Sequence, residues 1–302
     1  MQDSTLNLDV QEGQSGDAWC LDGQRVALDS GYVSKGMYLV DQIQREGEKY
    51  NVELAFVWNR TTKNMEKGVK QHLQLHNLEE VKERRADLIV EVAHPSIVRT
   101  HGEHFLSAAH LLVGSPTALA DEDTERRLRG RAKMCGHTLY IPSGALWGGE
   151  DIMRMADRET LSGLKVTMTK HPESFKLEGD LSKRDLSVIR ERTVLYEGPV
   201  RQLCPMAPNN VNTMAAAAMA AHTLGFDKVI GVLVADPSLP DWHLVDIEVT
   251  GSAHEKTAQV FSVRTRRSNP AAPGAVTGAA TFGSFWSSIL VCRGHGGRVF
   301  FC

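Results

Sequence analysis

The stretch RVALDSGYVSKGMYLV, residues 25–40, runs from a β-prone segment into a glycine turn and then into a helical pattern. Nucleotide-binding folds place their phosphate loop in such a corner, with the signature GxGxxG after the first strand. Gly31 and Gly36 are spaced as the first and last of those glycines, but Val33 stands where the middle one belongs. That glycine normally lets the backbone approach a pyrophosphate, and a β-branched residue there disfavours positive φ. Asp29 and Ser30 end the strand, and an acid at that mouth repels phosphate. The same residues also read as a plain strand–turn–helix corner.

Downstream of this corner the chain alternates. VELAFVWN (52–59), DLIVEVA (87–93), LLVGSP (111–116) and HTLYIPSG (137–144) are apolar runs of strand length. Helical patterns separate them: KGMYLVDQIQREGEKY, a charged helix from Asn77, SIVRTHGEHFLSAAH, and TALADEDTERRLRGRAKMCG. Continuous apolar strands alternating with helices indicate a parallel sheet covered on both faces, a Rossmann-like domain over residues 24–145. Residues 1–23 are polar, without apolar period, and read as a disordered leader.

After residue 145 the pattern changes. LKVTMTKHP, RTVLYEGPVRQL, KVIGVLVADPS, HLVDIEVTG and QVFSVRTRR are strands without a helix between every pair, several alternating apolar with polar. A mixed-sheet α/β (α+β) domain over residues 146–270 is expected. NTMAAAAMAAHTLGF is its one clear helix, with Gly225 placed to end it. A last segment, AVTGAATFGSFWSSILVC, has helical length but is too interrupted for a membrane span.

The bulk properties set limits. The chain has 302 residues, 42% hydrophobic and 24% charged, with a formal net charge of -3. This argues against nucleic-acid and membrane partners. The N-terminus lacks the apolar core of a signal peptide. Five scattered cysteines, without a CxxC pair, read as reduced cytosolic thiols rather than a zinc site.

Four further stretches carry candidate chemistry. Asn59 and Arg60 end the second strand, where an acid favours NAD and a base accommodates the 2′-phosphate of NADP; they lean toward NADP or mixed use, or form a solvated strand end. In PSGALWGGED, Gly144 and Ala145 allow close approach to a flat ring, or make a tight interdomain turn. In PNNVNTMAAAA, Asn212 sits where it would cap a helix, or its amide could pair with a carboxamide such as that of nicotinamide. In DPSLPDWHLVDIEV, His243 stands where a polar loop enters a strand, a place for a general acid/base or for one of many structural histidines.

Taken together, DLIVEVAHP, LLVGSPTALAD, PSGALWGGED, APNNVNTMAAAAMAAHTLGFD, VADPSLPDWHLVDIEV and NPAAPGAVTGAAT resemble the L-aspartate dehydrogenase family, over about residues 50–302. The resemblance implies a Rossmann domain, a C-terminal α/β substrate domain, and a last helix within 271–302 that packs back on the first domain. It implies oxidation of L-aspartate with NAD or NADP to iminoaspartate, which yields oxaloacetate and ammonia or feeds pyridine nucleotide synthesis. It assigns His243 as the active-site histidine and Ala145 and Asn212 as cofactor contacts. It also suggests a homodimer, and the reduced thiols place the expected location in the cytoplasm. His94, Lys170 and His171 are candidates to meet substrate carboxylates on chemistry alone. Val33 and Asp29 keep open a catalytically silent binding protein on the same fold. A related dehydrogenase with another small substrate also remains open.

Overall fold

The computed structural model describes residues 24–29, 33–66, 68–254 and 256–302. The leader, and Gly31 with its neighbours Ser30 and Tyr32, lie outside the described residues.

β1 (Gln24–Asp29) leads into α1 (Val33–Tyr50), then β2 (Val52–Trp58), the short α2 (Lys63–Glu66) and β3 (Gln74–Leu75). The chain continues through β4 (Leu88–Glu91), α3 (Pro95–Ala108), β5 (His110–Val113), α4 (Glu122–Cys135) and β6 (Leu139–Ile141). These strands pair in parallel, in the order β6-β5-β4-β1-β2-β3. β4 is buried at every position because helices cover both faces. Leu88 and Val90 pack toward Leu39, Val40 and Ile43 of α1, while Ile89 packs with Val98 and Phe105 of α3. Strand order reverses direction between β1 and β4, which opens a crevice beyond their carboxyl ends.

The second sheet lies beyond α5 (Gly149–Asp157), whose first turn carries Glu150 and Asp151. It comprises β7 (Leu161–Lys170), β8 (Thr193–Pro199), β9 (Ile230–Ala235), β10 (Trp242–Ala253) and β11 (Val260–Pro270). Short α6 (Val200–Leu203), α7 (Asn212–Ala220) and α8 (Gly225–Lys228) fall between β8 and β9. The order is β11-β10-β7-β9-β8, with β7 and β9 parallel and the remaining pairs antiparallel. One face of β10, through Val245, Ile247 and Val249, joins the core with Leu164, Val166 and Met168 of β7. Residues Met214–Ala220 of α7 are all buried, so this helix is wrapped by protein.

Three sequence expectations need adjustment. The segment Leu78–Arg84 is a 3-10 helix, capped by Asn77 and stopped where Arg85 turns left-handed at φ 49°. The helix expected to run unbroken from Thr117 is divided. Pro116–Ala120 is 3-10, and Asp121 then caps α4 by accepting from Thr124 N at 2.8 Å. Gly225 does not end α7, which stops at Ala220. Gly225 instead takes φ 60° at the start of α8.

The end of the chain returns to the first domain. α9 (Ala280–Val291) lies on α1, with the Tyr38 and Phe282 rings 5.5 Å apart and Tyr50 edge-on to Trp286 at 5.8 Å. Beyond it, β12 (Val299–Phe301) adds a seventh parallel strand beside β6, pairing Val299 with Leu139. Cys302 O accepts from Ser143 N at 2.6 Å, so this strand also holds the loop after β6. Cys292 Sγ and Cys302 Sγ lie 3.9 Å apart as free thiols. Among the described residues no helix is long and apolar enough to cross a membrane.

Candidate active site

The crevice at the carboxyl ends of β4 and β5 faces one end of the second sheet, and a cleft lies between them. Its walls bring together Lys35 of α1, Gly144 and Ala145 after β6, Lys170 of β7, Asn212 of α7 and His243 of β10.

Sheet register explains why the second domain presents basic groups here. Leu244 pairs with Thr169, and His243 pairs with Asn269 on the other side. Lys170, His243 and Asn269 therefore form one row across three strands, on the face that carries the core. Further down the strands this face is apolar; at its end it becomes polar while remaining buried. Lys170 and His243 are only 3% and 5% exposed.

That burial sets their protonation. Desolvation first, and the nearby Lys170 charge second, push His243 down to about 4, so the imidazole is neutral at neutral pH. Its ring hydrogen-bonds to the Ala275 backbone, while Nε2 is buried without a partner. This network assigns the proton to Nδ1 and leaves the Nε2 lone pair open to a ligand. Desolvation likewise lowers Lys170 to about 7, with Lys35 adding repulsion. Lys170 Nζ donates to Val276 O at 2.8 Å, which fixes its head at the cleft.

The first domain contributes an acid. Glu91 ends β4, fully buried, and desolvation raises it to about 7. Its Oε1 accepts from Ala93 N at 2.8 Å and Ser115 Oγ at 3.1 Å, and its Oε2 from Ser115 N at 3.0 Å. Gly114 makes this packing feasible: a Cβ there would lie 2.3 Å from Glu91 O and 2.9 Å from the Phe285 ring.

The loop after β6 is shaped to receive a flat group. Gly144 has φ 56° and open space where a side chain would stand. Arg267 Nη1 of β11 donates to Gly144 O at 3.1 Å and ties this loop to the second sheet. Asn212 does not cap α7; Val211 holds that position, and Asn212 turns into the cleft, its Oδ1 accepting from Thr117 Oγ1 at 3.4 Å. The unpartnered His243 Nε2 and the open side of Gly144 leave room for a flat ligand such as a nicotinamide.

The structure brings together Ala145, Asn212, His243 and Lys170. Gly36 lies buried in α1, while Gly31 falls outside the described residues. Asn59 and Arg60 stand at the end of β2, away from this cleft. Asn59 Oδ1 accepts from Thr61 N at 2.8 Å and shapes the turn there, while Arg60 is exposed. His94 and His171 serve as caps instead, accepting from Ser96 N at 3.2 Å and Glu173 N at 3.3 Å. Glu91 and Lys35 were not foreseen. An acid inside an otherwise apolar parallel strand was the available signal for Glu91, whereas Lys35 looks like any surface lysine.

The doubly wound first sheet, the mixed second sheet and the cleft between them define a two-domain α/β protein built on the dinucleotide-binding plan. Residues 32–142 match the family model described as homoserine dehydrogenase, NAD binding domain, and residues 151–288 match aspartate dehydrogenase, C-terminal. The chain is 66% identical over 272 residues to the aspartate dehydrogenase domain-containing protein of Xenopus tropicalis, covering 90% of this chain and 96% of that one. It is 30% identical over 240 residues to the L-aspartate dehydrogenase of Methanococcoides burtonii, covering 78% and 82%. The solved aspartate dehydrogenase of Thermotoga maritima shares the fold, with a TM-score of 0.57 at 19% identity over 80% of this chain and 88% of that one. The chain belongs to the aspartate dehydrogenase family.

Proposed function

We propose that this protein is an NAD(P)-dependent dehydrogenase that oxidises L-aspartate to iminoaspartate, from which water gives oxaloacetate and ammonia. The observation that carries the reading is the neutral, buried His243 with Nε2 unpartnered, beside Lys170 in a cleft at the switch point of a dinucleotide-binding sheet. Dehydrogenation at Cα requires the substrate amine to lose a proton, and His243 Nε2 is placed to accept it. Lys170 offers an ammonium to a substrate carboxylate, and an entering anion raises its proton affinity above that of the empty cleft. Asn212 orients a carboxamide, and Gly144 and Ala145 give it a flat wall. Met168, Val276 and Phe285 line the cleft and exclude water. Bound nicotinamide supplies the hydride acceptor.

Arg60, with no acid at that strand end, favours NADP or mixed use. The reading includes a cytoplasmic homodimer. Edge strand β11 has one side unpaired, and its Val260, Phe261 and Val263 are exposed near exposed Trp147. The test is L-aspartate-dependent reduction of NAD or NADP by the purified protein, across a panel of amino and hydroxy acids.

A second reading is a catalytically silent binding protein, favoured by Val33 in place of the middle fingerprint glycine. NADH and NADPH titration, beside Val33→Gly, separates the two. Micromolar binding without the substitution counts against the silent reading.

A further inference from the structure

Lys35 comes from α1, within the fingerprint stretch, yet it lines the same cleft as Lys170 and its charge reaches that lysine. It also lines the adjoining chamber formed by Val92, Ala93 and Ser115, so it stands where the two spaces meet. Its Nζ lies 5.4 Å from the centroid of the Phe285 ring, and Glu91 is the acid whose field reaches it. Glu91 is already held by Ala93 and Ser115, so its carboxylate is satisfied by hydrogen bonds without the lysine. Lys170 gives one N–H to Val276 O and has two more to offer, since an ammonium carries three.

With both lysines and Glu91 ionised and His243 neutral, the cleft carries one excess positive charge. A buried excess charge is costly until a counter-charge enters. An amino dicarboxylate bearing its ammonium has one net negative charge and balances it. The two ammonium groups rise from different domains, one from the first helix and one from the second sheet, so a ligand with two separated carboxylates satisfies both at once.

We propose that Lys35 is a specificity residue: it receives one carboxylate of a dicarboxylic substrate while Lys170 receives the other, so the substrate bridges the two domains. This rests on the dehydrogenase reading for the reaction, but not for the binding.

The experiment uses calorimetric titration of the full chain with succinate and with butyrate, which differ by one carboxylate. The unsubstituted protein is expected to bind succinate at least tenfold more tightly. Lys35→Met should bring succinate to the level of butyrate without weakening butyrate, and Lys35→Arg should keep most of the preference. Thermal unfolding confirms that each variant is folded. In turnover, KM for L-aspartate should rise more than kcat falls in Lys35→Met. Unchanged succinate affinity in Lys35→Met, equal loss for both ligands, or no succinate preference at the outset overturns the proposal. Turnover of L-aspartate with KM indifferent to Lys35 removes this role and leaves the dehydrogenase reading standing. A Lys35-dependent succinate preference without hydride transfer does the reverse.

Discussion

His243 sits beside Lys170 on the neighbouring antiparallel strand, and the two buried bases share one chamber. Desolvation first, and the Lys170 charge second, keep the imidazole neutral, while desolvation and the Lys35 charge lower the lysine. In the proposed reaction the pair separates two tasks: a base with an open lone pair, and a cation that holds an anion.

His243→Ala should reduce kcat/KM for L-aspartate by roughly 10²–10⁴-fold, the usual contribution of a positioned acid/base. NADH binding, followed by fluorescence, should survive. Unchanged turnover would reject the histidine assignment.

Lys170 leaves a signature in stability against pH. Its folded value of about 7 lies below the ordinary 10.5, so the unfolded chain holds more protons between those limits. Stability therefore rises with pH from about 7 to about 10.5, and the burial penalty is fully present below 7. The rise has an upper bound on the order of 5 kcal/mol. In Lys170→Met this contribution should vanish, and denaturant titrations of both proteins at pH 7 and pH 9.5 measure the difference.

Gly114→Ala should destabilise by about 1–3 kcal/mol, because the new methyl meets Glu91 O and the Phe285 ring. That corresponds to a fall in Tm of roughly 3–8 °C. Gly283→Ala in α9 is the control, since nothing lies within 4 Å of its added Cβ. An equal fall in both would show that the close approach at Gly114 is not the cause.

Phe261→Glu should weaken the proposed homodimer by placing a charge on the exposed border of β11. Sedimentation velocity at several concentrations reads the shift toward monomer. An unchanged distribution would move the interface elsewhere.

The first sheet was legible because a strand covered on both faces must be apolar throughout, as LIVE in β4 nearly is. β12 was not, because Val299–Phe301 is too short to signal a strand and pairs with residues far back in the chain. α7 overran in the sequence reading because alanines and methionines buried on all sides erase the helical period that marks an end. Within the candidate site, His243, Ala145 and Asn212 were candidates on local pattern, and the family resemblance is what gave each a role. Asn212 also looked like a cap, and only its place one residue past Val211 turns it to the cleft. Lys35 was invisible because the ring it meets, Phe285, is contributed from far along the sequence.

That far end also has a bearing on how the protein is made. The first sheet gains β12, and α1 is covered by α9, so the opening domain depends on residues translated after the second domain. During synthesis the second domain emerges while the first still lacks an edge strand and a covering helix. Such distant pairing slows folding and exposes apolar surface meanwhile. The two domains are separate in architecture, but in the order of assembly the first one closes last.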